Sequence, residues 1–352
     1  MSKNTFDVLV ISSADNLWVT QDSLEILESI GNIKRLEPLS YSNIYDLNQA
    51  FDDYIGDVDA MVFAPWGNQG IPSITSKRLD DAVKLKVIAG TFDFRFDGWL
   101  NVGNAERSGI CVIDTSRSMT PTVAEFALAM ILNLLRDIPH EIECVRKGKW
   151  RDDWYDLKGF VSGDLTGKRV GLAGFGSICH RLSELLRPFC CQICSYDPFV
   201  SDAILQDHGV NRADSLEELA SWSEIFVVGV PPMPNTIKII DEKVINALPE
   251  GSLFVLVTRM AVVDQSYLWT RVNNGDIRVA VDVFDPEPPP SDSPIRTDSN
   301  ILPTPHLAGN AAFAHKRCFK KACKDTVNAI MGKRVIYEVT NSDIEIYSGK
   351  MR

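Results

Sequence analysis

Three segments set a chemically active side chain directly behind a short apolar run. "LFVLVTRMAVVD" carries Arg259, "AVDVFDPEPPP" carries Asp282 and Glu287, and "NILPTPHLAGNAA" carries His306. Runs of this kind read as strands, and an open parallel sheet presents its ligand contacts just past the carboxyl ends of its strands. The residue types suit anion capture and proton movement. A guanidinium offers a planar fork of donors to a carboxylate, and an imidazole titrates near neutral pH. The chain has five His, and His306 is the one set between a proline and a loop of small residues. By type alone His306 also suits a structural role, and Glu287, in a proline-rich stretch, a solvated acid.

A second constellation lies upstream in "VGLAGFGSICHRLSELLRPFCCQICSYDPF", Val170 to Phe199. It reads as strand, tight turn and helix, the context that gives a glycine pattern meaning. Gly174 permits the turn, Gly176 lets the backbone approach a pyrophosphate, and the amides of Ser177 and Ile178 face it from the helix start. Cys179 stands where a third glycine would allow close packing of helix on strand. Asp197 ends the next strand about twenty residues on, where an acid accepts hydrogen bonds from ribose hydroxyls. A carboxylate there repels a 2'-phosphate, so the expected cofactor is NAD rather than NADP. The plainer alternative is an Asp that caps the turn at Pro198.

These residues need a scaffold, and the chain alternates accordingly. "DVLVIS", "AMVFAP" and "LKVIAGT" read as buried strands with helix-like segments between them. "TQDSLEILESIG" reads as an amphipathic helix with Gly31 near its end. A second alternating series runs from "KRVGLAG" to about "NILPTPH". Alternation of this kind predicts parallel sheets covered on both faces, two α/β units in series. "TPTVAEFALAMILNLLRDI", Thr120 to Ile138, is apolar almost all round and predicts a long helix buried between domains or subunits.

Composition narrows the function classes. The chain has 352 residues, 45% hydrophobic and 24% charged, room for two domains with their own cores. A net charge of -11 argues against a nucleic-acid partner, because phosphate-backbone binding relies on clustered Lys and Arg. No run of about 18 apolar residues is evident, so no membrane span is expected. The start lacks a charged region followed by an apolar segment and a cleavage site, which predicts a cytoplasmic protein. The eight Cys show no spacing suited to zinc, so buried thiols and no metal are expected.

From about Leu85 to Ala312 the chain resembles the D-isomer-specific 2-hydroxyacid dehydrogenase family. It matches in order "TVAEFALAMILNLLR", "RKGKW", "DLTGKRVGLAGFGSI", "SYDPF", "TRMAVVD", "DVFDPEP" and "TPHLAG". The resemblance implies two doubly wound parallel-sheet domains, a Rossmann-like cofactor domain inserted into a flavodoxin-like substrate domain, with the active site in the cleft. On this sequence the substrate domain would be 1–115 plus 307–352, and the NAD-binding domain 116–306. The implied reaction is hydride transfer between NAD(H) and a small 2-hydroxy or 2-oxo acid, with D stereospecificity. Arg259 would bind the substrate carboxylate, and His306 would act as general acid and base, oriented by Glu287. Asp282, Val257, Thr258 and Gly309 would flank the nicotinamide. Pro231 and Thr236 would line the adenosine and phosphate side, with Met233 where relatives often have Thr.

The departures fall mostly on the substrate side. Met260 and Ala261 replace a common Gly-Gly. The glycine-rich loop that commonly holds a carboxylate reads "GTFDFRFDGWLN", which makes Arg95 and Phe96 candidate substrate contacts. Trp66 in "FAPWGNQG" is a candidate aromatic wall. The alternative for the loop is packing beneath a neighbouring helix. The resemblance also implies a homodimer through Thr120 to Ile138, and a tail without room for the regulatory domain of longer serine-pathway relatives. A second functional class, an NAD-sensing corepressor-like protein with little turnover, shares the fold. The acidic charge and the complete Arg, Glu and His set favour the enzyme.

Overall fold

The computed structural model describes residues 5–13, 16–64, 70–150 and 159–348. The chain divides into two compact units, one formed by Met1–Met119 with Asn310–Arg352 and the other by Thr120–Gly309.

The first unit holds β1 (Phe6–Ile11), β2 (Gly31–Leu36), β3 (Ala60–Phe63), β4 (Val87–Gly90) and β5 (Cys111–Asp114). The second holds β6 (Arg169–Ala173), β7 (Gln192–Tyr196), β8 (Asn211–Arg212), β9 (Ile225–Val228), β10 (Leu253–Leu256), β11 (Arg278–Val281) and β12 (Ile301–Pro303). β13 (Glu338–Val339) returns to the first unit. Four helices bear on the sites and on the packing beneath them: α1 (Thr120–Arg136), α2 (Ser177–Leu186), α3 (Asp202–Asp207) and α4 (Ala312–Ile330).

The first sheet runs β13-β5-β4-β3-β1-β2. All its pairings are parallel except β13 on β5. β3 and β4 are buried at every position and β1 over its last four, because helices cover both faces. That is why their sequences are continuous apolar runs rather than alternating ones. Gly31 opens β2 rather than closing the preceding helix, which ends at Glu28. A Cβ at Gly31 would lie 1.8 Å from the Phe6 carbonyl oxygen, so only glycine lets β2 start beside β1. α4 packs on β3, β4 and β5 through Phe319, Ala322 and Cys323, which joins the C-terminal segment to the N-terminal sheet.

The second sheet runs β12-β11-β10-β9-β6-β7-β8, parallel throughout. Both strand orders are doubly wound. The first unit follows the flavodoxin-like order with an added antiparallel edge, and the second the dinucleotide-binding order with one further strand. In the second unit the order in which strands are added reverses between β6 and β9, which puts the residues just past those strands, Gly174 and Gly229, at the switch point where such sheets bind ligands.

α1 is shorter and more one-sided than its sequence suggests. It ends at Arg136, and Asp137 turns left-handed (φ 47°) before a separate helix, Ile138–Arg146. Val123, Ala127, Met130, Ile131 and Leu134 are buried, with the helix packed on α2, β10 and β11, while Glu125 and Ala129 are exposed. The stretch Thr115–Arg136 is, by length and composition alone, long and apolar enough to cross a bilayer, against the expectation from its sequence, but half of it is buried inside the fold. A helix that covers a sheet face meets the same test.

Candidate active site

The loop after β12 carries His306, and its shape is set from below. Asp282, the residue after β11, is fully buried. One of its carboxylate oxygens accepts from the Thr304 hydroxyl (2.6 Å) and the Leu307 amide (2.8 Å), and the other from the Ala308 amide (2.8 Å). The His306 amide donates to the Asp282 carbonyl at 2.9 Å. These bonds hold His306 at φ 54°, a left-handed conformation that costs a residue with a Cβ about 1–2 kcal/mol. The buried acid thereby fixes the backbone from which the imidazole projects, and the ring stays 41% exposed.

Glu287 meets that ring. Its Oε2 lies 2.8 Å from Nδ1 of His306, and its Oε1 accepts the Phe284 amide at 2.8 Å. An ionised carboxylate only accepts, so Nδ1 carries the proton and Nε2 is left as the working nitrogen. Burial pushes the Glu287 carboxyl up, but the bonds from His306 and Phe284 and the charges of His306 and Arg259 outweigh it and hold the group below its usual range. Arg259 follows β10 and donates from Nη1 to the Thr258 carbonyl at 2.7 Å. Arg259, Glu287 and His306, named from three separate segments, therefore share one electrostatic neighbourhood in the Thr120–Gly309 unit.

The glycine turn has the form a pyrophosphate needs. Gly174 sits at φ 87°, where a Cβ would come within 3.3 Å of the backbone at Gly229 and Val230. Gly176 caps α2 without a side-chain cap, and a Cβ built on it meets nothing within 4 Å. The first amides of α2, Ser177 and Ile178, lack intrahelical acceptors by construction and open toward that space. Asp197 accepts the Phe175 amide (2.8 Å) and the Phe199 amide (2.9 Å), so it both braces the turn and keeps a lone pair on each oxygen. The residues fit a dinucleotide.

The missing third glycine has a counterpart across the interface. Cys179 is buried, and a Cβ placed on Gly229, just past β9, would lie 2.2 Å from its sulfur. The small residue sits on the strand side instead of the helix side, so α2 still packs closely. Burial pushes the Cys179 thiol up to about 12, which leaves it a packing group rather than a nucleophile.

Other expected contacts have internal duties. The Thr236 hydroxyl donates to the Pro231 carbonyl (2.6 Å) and accepts the Met233 amide (2.7 Å), so it closes its own loop rather than presenting an unused hydroxyl. Val257 and Thr258 are buried, and the Thr258 hydroxyl bonds the Val228 carbonyl. Met260 packs in the unit's core, and Gly309 ends the unit half-buried. Asp282 has both carboxylate oxygens on the His306 loop.

The candidate substrate loop lies in the other unit and is folded inward. Phe96 is 3% exposed and clusters with Phe92, Phe94 and the core of that unit, so its side chain is not a substrate rim. Packing prevails because Phe92 finds Phe63 and Trp99 beneath it and Phe96 packs on Phe92 and Phe94. Buried Asp114 accepts the Phe92 and Phe94 amides (3.0 and 2.9 Å), and Ser116 accepts the Asp93 amide (2.7 Å). Backbone amides that a glycine-rich loop would offer to a carboxylate are thus consumed internally. Arg95 is half-exposed with Asp93 3.2 Å away. Trp66 lies outside the described residues. Asp114, Ser116, Thr304 and Gly229 did not stand out in the sequence; only the Thr-Pro-His spacing carries a local signal for one of them.

Fold and site together define a dinucleotide-binding α/β protein. Residues 128–308 match the D-isomer specific 2-hydroxyacid dehydrogenase, NAD binding domain. The chain belongs to the D-isomer specific 2-hydroxyacid dehydrogenase family, and NAD(H) is the cofactor of its second unit. It is 28% identical over 297 residues to D-3-phosphoglycerate dehydrogenase of Methanocaldococcus jannaschii, covering 84% of this chain and 53% of that protein. The enzyme of the same name from Archaeoglobus fulgidus is 30% identical over 247 residues, 70% of this chain and 46% of that one. The chain thus spans about half the length of these curated relatives. Among solved structures, D-mandelate dehydrogenase of Rhodotorula graminis superposes with a TM-score of 0.78 at 21% identity, covering 95% of this chain and 97% of that one. That likeness concerns the fold.

Proposed function

We propose that the protein interconverts a 2-hydroxy acid and the matching 2-oxo acid with NAD(H), with D stereospecificity and reduction as the working direction. The observation that carries this reading is the 2.8 Å pairing of Glu287 with His306, with the charge of Arg259 acting on the same carboxylate. NAD(H), when bound, would supply the hydride acceptor or donor. Gly174, Gly176, Ser177 and Ile178 would hold its pyrophosphate and Asp197 its ribose, while Pro231, Val257, Thr258 and Gly309 would line it through backbone or apolar atoms. Arg259 binds the acid carboxylate and the neighbouring oxygen with its planar fork. Nε2 of His306 takes the hydroxyl proton during oxidation and returns it during reduction. Glu287 is a positioning residue: it fixes the tautomer and stabilises the charged ring.

In this reading the Thr120–Gly309 unit is the cofactor domain and the other unit the substrate domain, with Arg95 a candidate contact for a second anionic group. The partly exposed apolar Phe126, Leu128 and Leu132 on α1 support pairing of two copies in a homodimer, and the cytoplasm is the proposed location.

The test is NADH oxidation against 2-oxo acids that vary in length, aromaticity and second charge. His306→Ala should lower turnover by at least about a hundredfold with NADH affinity within about threefold of wild type, roughly the weight of one general acid–base group. Arg259→Ala should raise KM steeply as well. Unchanged turnover in His306→Ala would sink the assignment.

A further inference from the structure

One cluster in the second unit has no part in the chemistry above. His180 and Glu184 stand four residues apart on α2, on the same face of the helix, and His208 ends α3 opposite them. Nε2 of His180 lies 2.8 Å from Nε2 of His208 and 3.9 Å from Oε1 of Glu184. All three ligand atoms fall within 4.8 Å of one another. The other Glu184 oxygen is paired with Arg181 at 2.6 Å, which orients the carboxylate. All three side chains are partly exposed, so an ion has a path in.

From this geometry we infer that His180, Glu184 and His208 form a site for a divalent transition-metal ion of the zinc type. Two imidazoles and a carboxylate are a donor set suited to zinc, and tetrahedral bonds of about 2.05 Å put ligand atoms roughly 3.3 Å apart. The observed separations straddle that value, and rotation of exposed side chains closes the difference. Arg181, beside Glu184, is the charge that opposes a cation, and its pairing with that carboxylate offsets it.

The position gives the ion a consequence. The ring of Phe175, inside the dinucleotide turn, lies 5.8 Å from the His180 ring and 6.0 Å from the His208 ring, centroid to centroid. The Phe175 amide is the one bound by Asp197. A metal would therefore tie α2 to the end of α3, the segment that follows Asp197, over the residue that links the turn to that acid. The site is independent of the proposed reaction and does not use His306.

Chelator-treated, full-length protein titrated with Co2+ reads the site directly through the cobalt visible bands. The expected result is one equivalent bound, displaced by Zn2+, with a rise in unfolding temperature. Binding should be lost in His180→Ala and in His208→Ala, and kept in His140→Ala and in Cys190→Ser/Cys191→Ser. Circular dichroism and NADH binding verify that the histidine variants are folded. Absence of stoichiometric binding in the wild type would overturn the inference, as would binding that survives in folded His180→Ala/His208→Ala or disappears with the two cysteines.

Discussion

Two loops, one in each unit, are built by the same device and put to different uses. In each a buried aspartate at the end of a strand gathers the amides of a neighbouring loop and holds non-glycine residues left-handed. Asp114 accepts the Phe92 and Phe94 amides, with Ser116 taking that of Asp93, around left-handed Asp93 and Phe94 (φ 53° and 55°), and Asp282 accepts the Leu307 and Ala308 amides beside left-handed His306 (φ 54°). Around Asp114 the side chains of Phe92 and Phe96 turn into the core and Phe94 stacks on Tyr347 at 4.2 Å. Around Asp282 the imidazole turns outward to Glu287. The same backbone clamp stabilises a core in one place and aims a reactive group in the other, so its function is decided by what the held residue carries.

The largest effects should come from removing the clamps. Asp282→Ala strips acceptors from two amides and a hydroxyl and should cost roughly 2–4 kcal/mol. It should also lower turnover of the remaining folded protein by more than about tenfold, since the general acid–base group loses its aim. Asp114→Ala should cost a similar roughly 2–4 kcal/mol with kcat per folded molecule little changed. Denaturant unfolding beside active-site-normalised kinetics separates the two, and equal kcat losses would erase the contrast.

Substituting the left-handed residues sharpens it. Asp93→Gly and His306→Gly should each recover about 1 kcal/mol of backbone strain, offset in the first by an exposed ion pair worth little. Only His306→Gly should lose turnover. Destabilisation in both would mean that neither loop stores strain.

The approach of α2 to β9 is tested by Gly229→Ala, which forces a Cβ onto the Cys179 sulfur and should cost about 1–3 kcal/mol. Adding Cys179→Ala should restore most of that loss, as the two Cβ atoms would then be 3.5 Å apart. Failure of the rescue would place the strain elsewhere.

The smallest effect concerns acidity. The folded pKa of Glu287 lies below its ordinary 4.5, so its stabilisation is present above that pH and is lost as pH falls through the lowered value. Acidification below 4.5 should therefore lower the unfolding temperature of the wild type more than that of Glu287→Gln. Parallel curves would show that the carboxylate is not held.

What could be read in the sequence was local. The alternating apolar runs predict two α/β units with parallel sheets, which the structure has, while the doubly wound order was implied by the resemblance; Arg259, Asp282 and His306 stand just past the ends of β10, β11 and β12, where open sheets place ligand contacts. Phe96, a candidate substrate contact by sequence, is packed in the core, because alternation of aromatics with charges reads equally as a rim or as a core strip, and contacts with Phe92 and Phe94 decide it. That the Thr236 hydroxyl closes its own loop onto Pro231 and Met233 has no local sequence signal. The pairing of Cys179 with Gly229, and of His180 with His208, joins residues far apart in the chain and has no periodic trace.

The exchange of small residues between α2 and β9 also orders the steps by which such a pair can arise. Cysteine at position 179 facing any side chain at 229 meets a clash, whereas glycine at both positions leaves only a small void, which costs less than overpacking when neighbours can relax. A lineage passing through folded intermediates would place the glycine on the strand first and fill the helix afterward. Once both are in place neither can revert alone without loss, so a three-glycine signature is better sought as a shared volume across two segments than as a string of letters in one.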